Sequence, residues 1–151
     1  MERENQSTEI SVGKVFSYEE IKSIRRPLMG SRIAAGFPSP AQDYIEDVLD
    51  LNELLIKHPA ATYFVRVEGY SMINAGIFPE DILVVDRSLE PASNRIVIAV
   101  IDGELTVKRL FIDKQGIYYL LPENPDFKPI RITEDMNFSV WGVVSNVIHK
   151  V

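Results

Sequence analysis

The chain is predicted to be mainly β, a small and strongly curved sheet or partial barrel with a short helical segment and an extended N-terminal arm. Three observations predict this. Runs rich in β-branched and aromatic residues recur from residue 62 to the C-terminus, each run is bounded by turn chemistry, and the first 35 residues carry no sustained period of either kind.

Residues 1–35 hold one proline, two glycines and several short polar stretches, which reads as an extended arm. Val12, Val15, Phe16, Ile21, Ile24, Leu28, Met29 and Ile33 are scattered through it, enough apolar surface for the arm to dock. The remainder, 36–151, is expected to form the domain. It opens with GFPSP, in which Ser39 suits an N-cap, Pro40 the first helical position and Gln42 the third residue of a capping box. Ala41, Tyr44, Ile45, Val48 and Leu49 then follow at helical spacing. Asp50 with Glu53 repeats the cap for a second short helix, which Pro59 stops at His58.

Beyond residue 61 the spacing predicts about seven strands: TYFVRVE (62–68), DILVVD (81–86), RIVIAVID (95–102), ELTVKRLFI (104–112), IYYLLPE (117–123), PIRIT (129–133) and FSVWGVVSNVI (138–148). Asp102–Gly103 is a tight-hairpin signal, and a further turn spans Asp113–Gly116. Short strands at close spacing suit a strongly curved sheet.

Composition excludes several classes of function. The absence of cysteine removes disulfides, thiolate zinc sites and a cysteine nucleophile, and favours a reducing compartment. No apolar run reaches the ~18 residues needed to span a bilayer, and the first thirty residues lack the apolar stretch of a signal peptide, so neither membrane insertion nor secretion is expected. Residues 1–35 carry six basic and five acidic side chains, and the rest carries ten and seventeen, so a net −6 divides into +1 and −7. A domain at −7 repels phosphate backbones, which favours a protein partner over sequence-specific DNA binding.

The candidates for chemistry are few. The only histidines are His58, placed at a helix end where it complements the dipole, and His149 near the C-terminus, so a Ser-His-Asp triad and a histidine metal site are poorly supported. No phosphate loop or dinucleotide fingerprint is present, no metal or cofactor is expected, and most carboxylates should be solvated. Gly69-Tyr70-Ser71-Met72 follows a strand as a turn; there a serine hydroxyl can stand exposed beside backbone N–H groups. Lys108, in ELTVKRL, shares a strand face with Thr106, Leu110 and Ile112, and a lysine desolvated among apolar neighbours becomes a usable base for a serine. Arg109 faces the opposite way, toward solvent. Ala35–Gly36, two small residues at the junction of arm and domain, can thread an extended backbone into a narrow site. Each feature alone has a plainer reading: a simple turn, a surface lysine, a chance dipeptide.

Together the segments GFPSPAQDY, DLNELLIKHPAATYFV, SMI, LVVD, IVIAVIDGELTVKRL and WGVV resemble the UmuD proteins, relatives of the LexA-type repressors that cleave themselves after RecA stimulation. The likeness runs from about Gly36 to the C-terminus. It implies a LexA/signal-peptidase type of β-fold, Ser71 as nucleophile, Lys108 as general base, the Tyr70 and Ser71 N–H groups as oxyanion hole, and Ala35–Gly36 as the scissile bond. It further implies a cytoplasmic homodimer, stimulated by a RecA–single-stranded DNA filament, whose truncated form joins a UmuC-type Y-family polymerase in translesion synthesis. The arm is too short for the helix-turn-helix domain of a LexA-type repressor. Tyr70 stands where relatives often carry Asp or Met, Asn74 and Ala75 alter the segment after Ser-Met, and Asn94–Arg95 replaces a Gly-Asp pair, so that turn must be built differently. An accessory protein that keeps the fold without cutting itself is the alternative. A type I signal peptidase shares the serine–lysine logic but would carry a membrane anchor and Ser-Met-x-Pro, whereas Ser71-Met72 precedes Ile73-Asn74.

Overall fold

Turn and strand chemistry set most of the architecture from residue 61 onward. The computed structural model describes residues 12–17, 25–29, 35–36 and 45–151. Its strands are β1 (Val12–Ser17), β2 (Arg25–Met29), β3 (Ile45–Asp50), β4 (Thr62–Val67), β5 (Ile82–Asp86), β6 (Ile96–Ile101), β7 (Glu104–Ile112), β8 (Tyr118–Leu121), β9 (Ile130–Arg131) and β10 (Phe138–Ile148); one short helix, α1, spans Leu51–Leu55. The seven strands expected after residue 61 are β4–β10. At the Asp102–Gly103 turn both residues take positive φ, 50° and 83°, the backbone that a two-residue hairpin requires.

Eight strands form one antiparallel sheet in the order β1-β4-β5-β10-β6-β7-β8-β9, while β2 and β3 pair as a separate ribbon. The sheet is open, with β1 and β9 at its ends. Strand β10 joins the two halves of this sheet. The first part of that strand pairs with β6 (Phe138↔Ile101 to Val143↔Val97) and the last part with β5 (Val143↔Asp86 to Ile148↔Ile82), with a register shift in each ladder. Extra residues of this kind bend a strand and increase its twist. Gly142 lies at the bend because a Cβ there would stand 2.5 Å from Val85 Cγ1 and 3.3 Å from Arg87 Cγ.

Alternation of side chains gives the sheet two apolar clusters. Val65, Val67, Met72, Ile77, Leu83, Val85, Ile98 and Val107 form one. Val97, Ala99, Leu110, Leu120 and Val143 form the other. Ile98 and Val107 thus lie on one side while their chain neighbours Val97 and Lys108 lie on the other, the period-2 pattern expected of a strand covered on both faces.

Several expectations are corrected. The helix expected over 40–49 gives way to strand β3 over its described part, Ile45–Asp50, paired with Arg25–Met29; the proposed cap and first turn lie outside the described residues. The arm holds regular strands, β1 against β4 and β2 against β3, which its irregular pattern did not announce. The second helix forms, capped by the Asp50 side chain accepting from the Asn52 N–H, but it ends at Leu55 instead of His58. His58 consequently does not face a helix dipole. Its Nδ1 lies 2.5 Å from Asp86 Oδ2, and His149 makes the matching contact, 2.6 Å from Asp81 Oδ1. Asp50, Asp81 and Asp86 are buried, exceptions among carboxylates that are otherwise mostly at the surface of the described residues. Burial would raise the Asp86 carboxyl, but hydrogen bonds from Ser88 and His58 outweigh it and hold the group below its ordinary value. Among the described residues, no helix is long and apolar enough to cross a membrane.

Candidate active site

The turn after β4 is pinned from both sides. Gly69 takes φ 78°, a conformation open to glycine, and turns the chain out of the strand. Three residues later Met72 enters the first apolar cluster, leaving Tyr70 exposed and Ser71 buried between them. A 3-10 turn over Ile73–Ala75 follows, ended by Gly76 at φ 76°.

Lys108 reaches this turn from β7. Its ladder partner is Val97 and its next neighbour on the same face is Leu110, both fully buried. The lysine itself is 6% exposed. Its Nζ lies 3.0 Å from Ser71 Oγ, 2.9 Å from Thr106 Oγ1 and 3.0 Å from the Val107 carbonyl oxygen. All three contacts are neutral oxygens, so burial is uncompensated by an anion and pushes the Lys108 ammonium from 10.5 down to about 8. In the charged state three N–H donors meet three acceptors. In the neutral state Thr106 and Val107 still take two N–H groups, and the nitrogen lone pair is left facing the Ser71 hydroxyl. That arrangement can accept the serine proton as the oxygen becomes a nucleophile.

The sequence-derived residues are therefore brought together only in part. Ser71 and Lys108 meet across a separation of 37 residues. Ala35 and Gly36 are exposed and stand apart: nothing lies within 4 Å of where a Gly36 Cβ would be. Along β7, β8 pairs with Arg109–Ile112, and Glu104–Lys108 extend beyond that pairing toward Ser71.

Residues with no predicted catalytic role frame the turn. The loop after β8 meets it directly: Glu123 N–H donates to Ser71 O at 2.8 Å, Asn74 N–H to Glu123 O at 2.8 Å, and Asn124 Nδ2 to Tyr70 O at 2.9 Å. Arg109, expected in solvent, is instead bound to the Glu123 carboxylate and donates to Asn94 O at 2.7 Å. Asn94 builds the altered turn by adopting φ 72°, which Asn tolerates better than most residues, and donating its N–H to Leu110 O at 2.7 Å. The only sequence signal for these residues was turn chemistry, which says nothing of contacts far along the chain. Among the described residues no group of three or more His, Asp or Glu is placed to hold a metal.

An open antiparallel sheet that sets a buried, anion-free lysine against a turn serine defines the class structurally as a mainly β protein. The chain belongs to the peptidase S24-like family, whose profile matches residues 27–145. Protein ImpA of Salmonella typhimurium is 47% identical over 125 residues, 83% of this chain and 84% of that protein. Protein SamA of the same species is 48% identical over 124 residues (82% and 85%), and protein MucA 46% over 121 (80% and 82%). The LexA repressor of Stenotrophomonas maltophilia is 42% identical over 125 residues, which is 83% of this chain and 58% of the repressor. The UmuD- and LexA-like relationship read from the sequence holds.

Proposed function

We propose that this protein cuts its own chain between Ala35 and Gly36 and that the product, residues 36–151, serves as accessory subunit of an error-prone translesion polymerase. The observation that carries the first part is the buried Lys108 Nζ, 3.0 Å from Ser71 Oγ and without a counter-ion. Neutral Lys108 takes the hydroxyl proton as Ser71 Oγ bonds to the Ala35 carbonyl carbon. The oxygen of that carbonyl, now negative, is held by the Tyr70 and Ser71 N–H groups. Collapse breaks the Ala35–Gly36 C–N bond, and the Lys108 ammonium returns its proton to the leaving Gly36 nitrogen. Water, deprotonated by the same lysine, then splits the Ala35–Ser71 ester, leaving a carboxylate on Ala35 and a free serine.

The scissile pair must travel to reach the serine. In sequence it lies between β2 and β3, two strands paired from Arg25↔Asp50 to Met29↔Ile45. The remaining assignments rest on the likeness to UmuD proteins: a cytoplasmic homodimer, stimulation by a RecA filament on single-stranded DNA, a UmuC-type Y-family polymerase as partner, and no membrane or sequence-specific DNA binding. The exposed position of Ala35–Gly36 favours a second reading, an accessory protein that retains the fold and is not processed.

Intact mass of the purified protein decides between them, at neutral and alkaline pH and after addition of RecA, ATP and single-stranded DNA. Self-cleavage predicts a fragment beginning at Gly36 that stays folded and dimeric, and none from Ser71→Ala. An unchanged mass under every condition, or a new N-terminus elsewhere, refutes it.

A further inference from the structure

The geometry points to Asn124 as a positioning residue for this site: its side-chain amide fixes the Tyr70–Ser71 peptide plane and so aims the Ser71 N–H at the carbonyl oxygen under attack. This inference rests on the self-cleavage proposed above. Asn124 is buried, and its two side-chain atoms have different tasks. Oδ1 accepts the Asp126 N–H at 3.0 Å and shapes the local turn, while Nδ2 donates to Tyr70 O at 2.9 Å across 54 residues of chain. The orientation of the amide follows from these partners, because only an oxygen can meet an N–H and only the NH2 can meet a carbonyl.

A trans peptide is planar, with its C=O and N–H on opposite sides, and no cis bond occurs among the described residues. Drawing the Tyr70 carbonyl toward Asn124 therefore turns the Ser71 N–H away from the 122–124 loop. Among the described residues that N–H has no acceptor, although Ser71 is only 5% exposed. A buried N–H without a partner costs stability in the resting protein. It suits a donor kept ready for charge that develops during reaction. The next peptide is held differently, through backbone alone, by Glu123 N–H on Ser71 O. For the Tyr70 carbonyl the other donor is Ile73 N–H at 3.4 Å, the limit of a useful bond. One side chain thus governs the plane.

The test uses Asn124→Asp and Asn124→Ala beside the native chain, following self-cleavage from pH 6 to 10. Aspartate keeps the acceptor for Asp126 and loses the donor for Tyr70. Expected is a fall in the plateau rate of at least about tenfold for both, toward the ~10²-fold typical of a lost oxyanion donor. A purely electrostatic effect of the new carboxylate would instead move the midpoint upward and leave the plateau intact, and that result overturns the inference. A second arm places Ser71→Cys, the sole thiol of the chain, in the same backgrounds and measures alkylation by iodoacetamide, a displacement that develops no oxyanion. Alkylation should stay within about twofold of the Ser71→Cys parent, because the lysine and nucleophile are untouched. Alkylation that falls in step with cleavage shows general damage to the site and also overturns the inference. Absence of cleavage in the native chain defeats the self-cleavage proposal instead, and the parallel native reaction shows which has failed.

Discussion

Varying pH acts on Lys108 directly, and the structure fixes the size of the response. The base must be neutral, and burial sets its ionisation near 8 in place of 10.5. At pH 7 the neutral fraction is then about one in ten, against about one in three thousand for an unperturbed lysine. Self-cleavage should climb about tenfold per pH unit up to pH ~7, reach half its maximum near pH 8 and level off above pH ~9. Between pH 6 and pH 9 the rise amounts to about 90-fold, from a neutral fraction of ~1% to one of ~90%. The assay is the first-order loss of intact chain by mass spectrometry at constant ionic strength, with circular dichroism to establish that the fold persists at each pH. A rate independent of pH removes Lys108 as the base. A rate still rising at pH 10 shows that burial does not depress it.

Three further outcomes follow from the same geometry. Thr106→Val removes one acceptor from the Lys108 ammonium and should move the cleavage midpoint down by about one pH unit, since the charged form loses a hydrogen bond; a midpoint that rises contradicts this. Lys108→Met should end cleavage and yet stabilise the fold at pH 6.5 by up to about 3 kcal/mol in urea melts. The native chain bears the cost of a buried cation below pH ~8 and is relieved of it as pH rises toward 10.5, so the gap between the two should shrink across that window. Gly142→Ala should cost about 1–3 kcal/mol by overpacking against Val85. Adding Val85→Ala should recover part of that loss, and equal melts for Gly142→Ala and the native chain would refute the close approach.

Where sequence reading succeeded, the information was local. Glu104–Ile112 is a strand because its residues alternate and Asp102–Gly103 can take the left-handed backbone that starts it. The Asp50 cap is likewise a property of three consecutive residues. Where it failed, the deciding partner lay elsewhere in the chain. Ile45, Val48 and Leu49 have helical spacing, yet pairing with Arg25–Met29 makes them a strand and leaves Val48 exposed. Arg109 alternates toward what one strand alone would present as solvent, and the 122–124 loop covers it. The serine and lysine could be nominated by residue type and by family likeness. That their side chains meet at 3.0 Å depends on β7 and the 69–72 turn being folded against one another.

The pairing of β1 with β4 gives the proposed cut an unusual product. Val12–Ser17 belong to the piece that would be severed, yet they form the terminal strand of the main sheet, in ladder contact with Tyr63–Val67. Scission of the covalent chain and departure of the arm are then separate events. The severed segment becomes a bound peptide whose residence time is set by how fast a ladder unzips, and it can in principle be displaced by any other extended chain. A protein already cut could still carry its arm, silent until a competing strand takes the edge of β4.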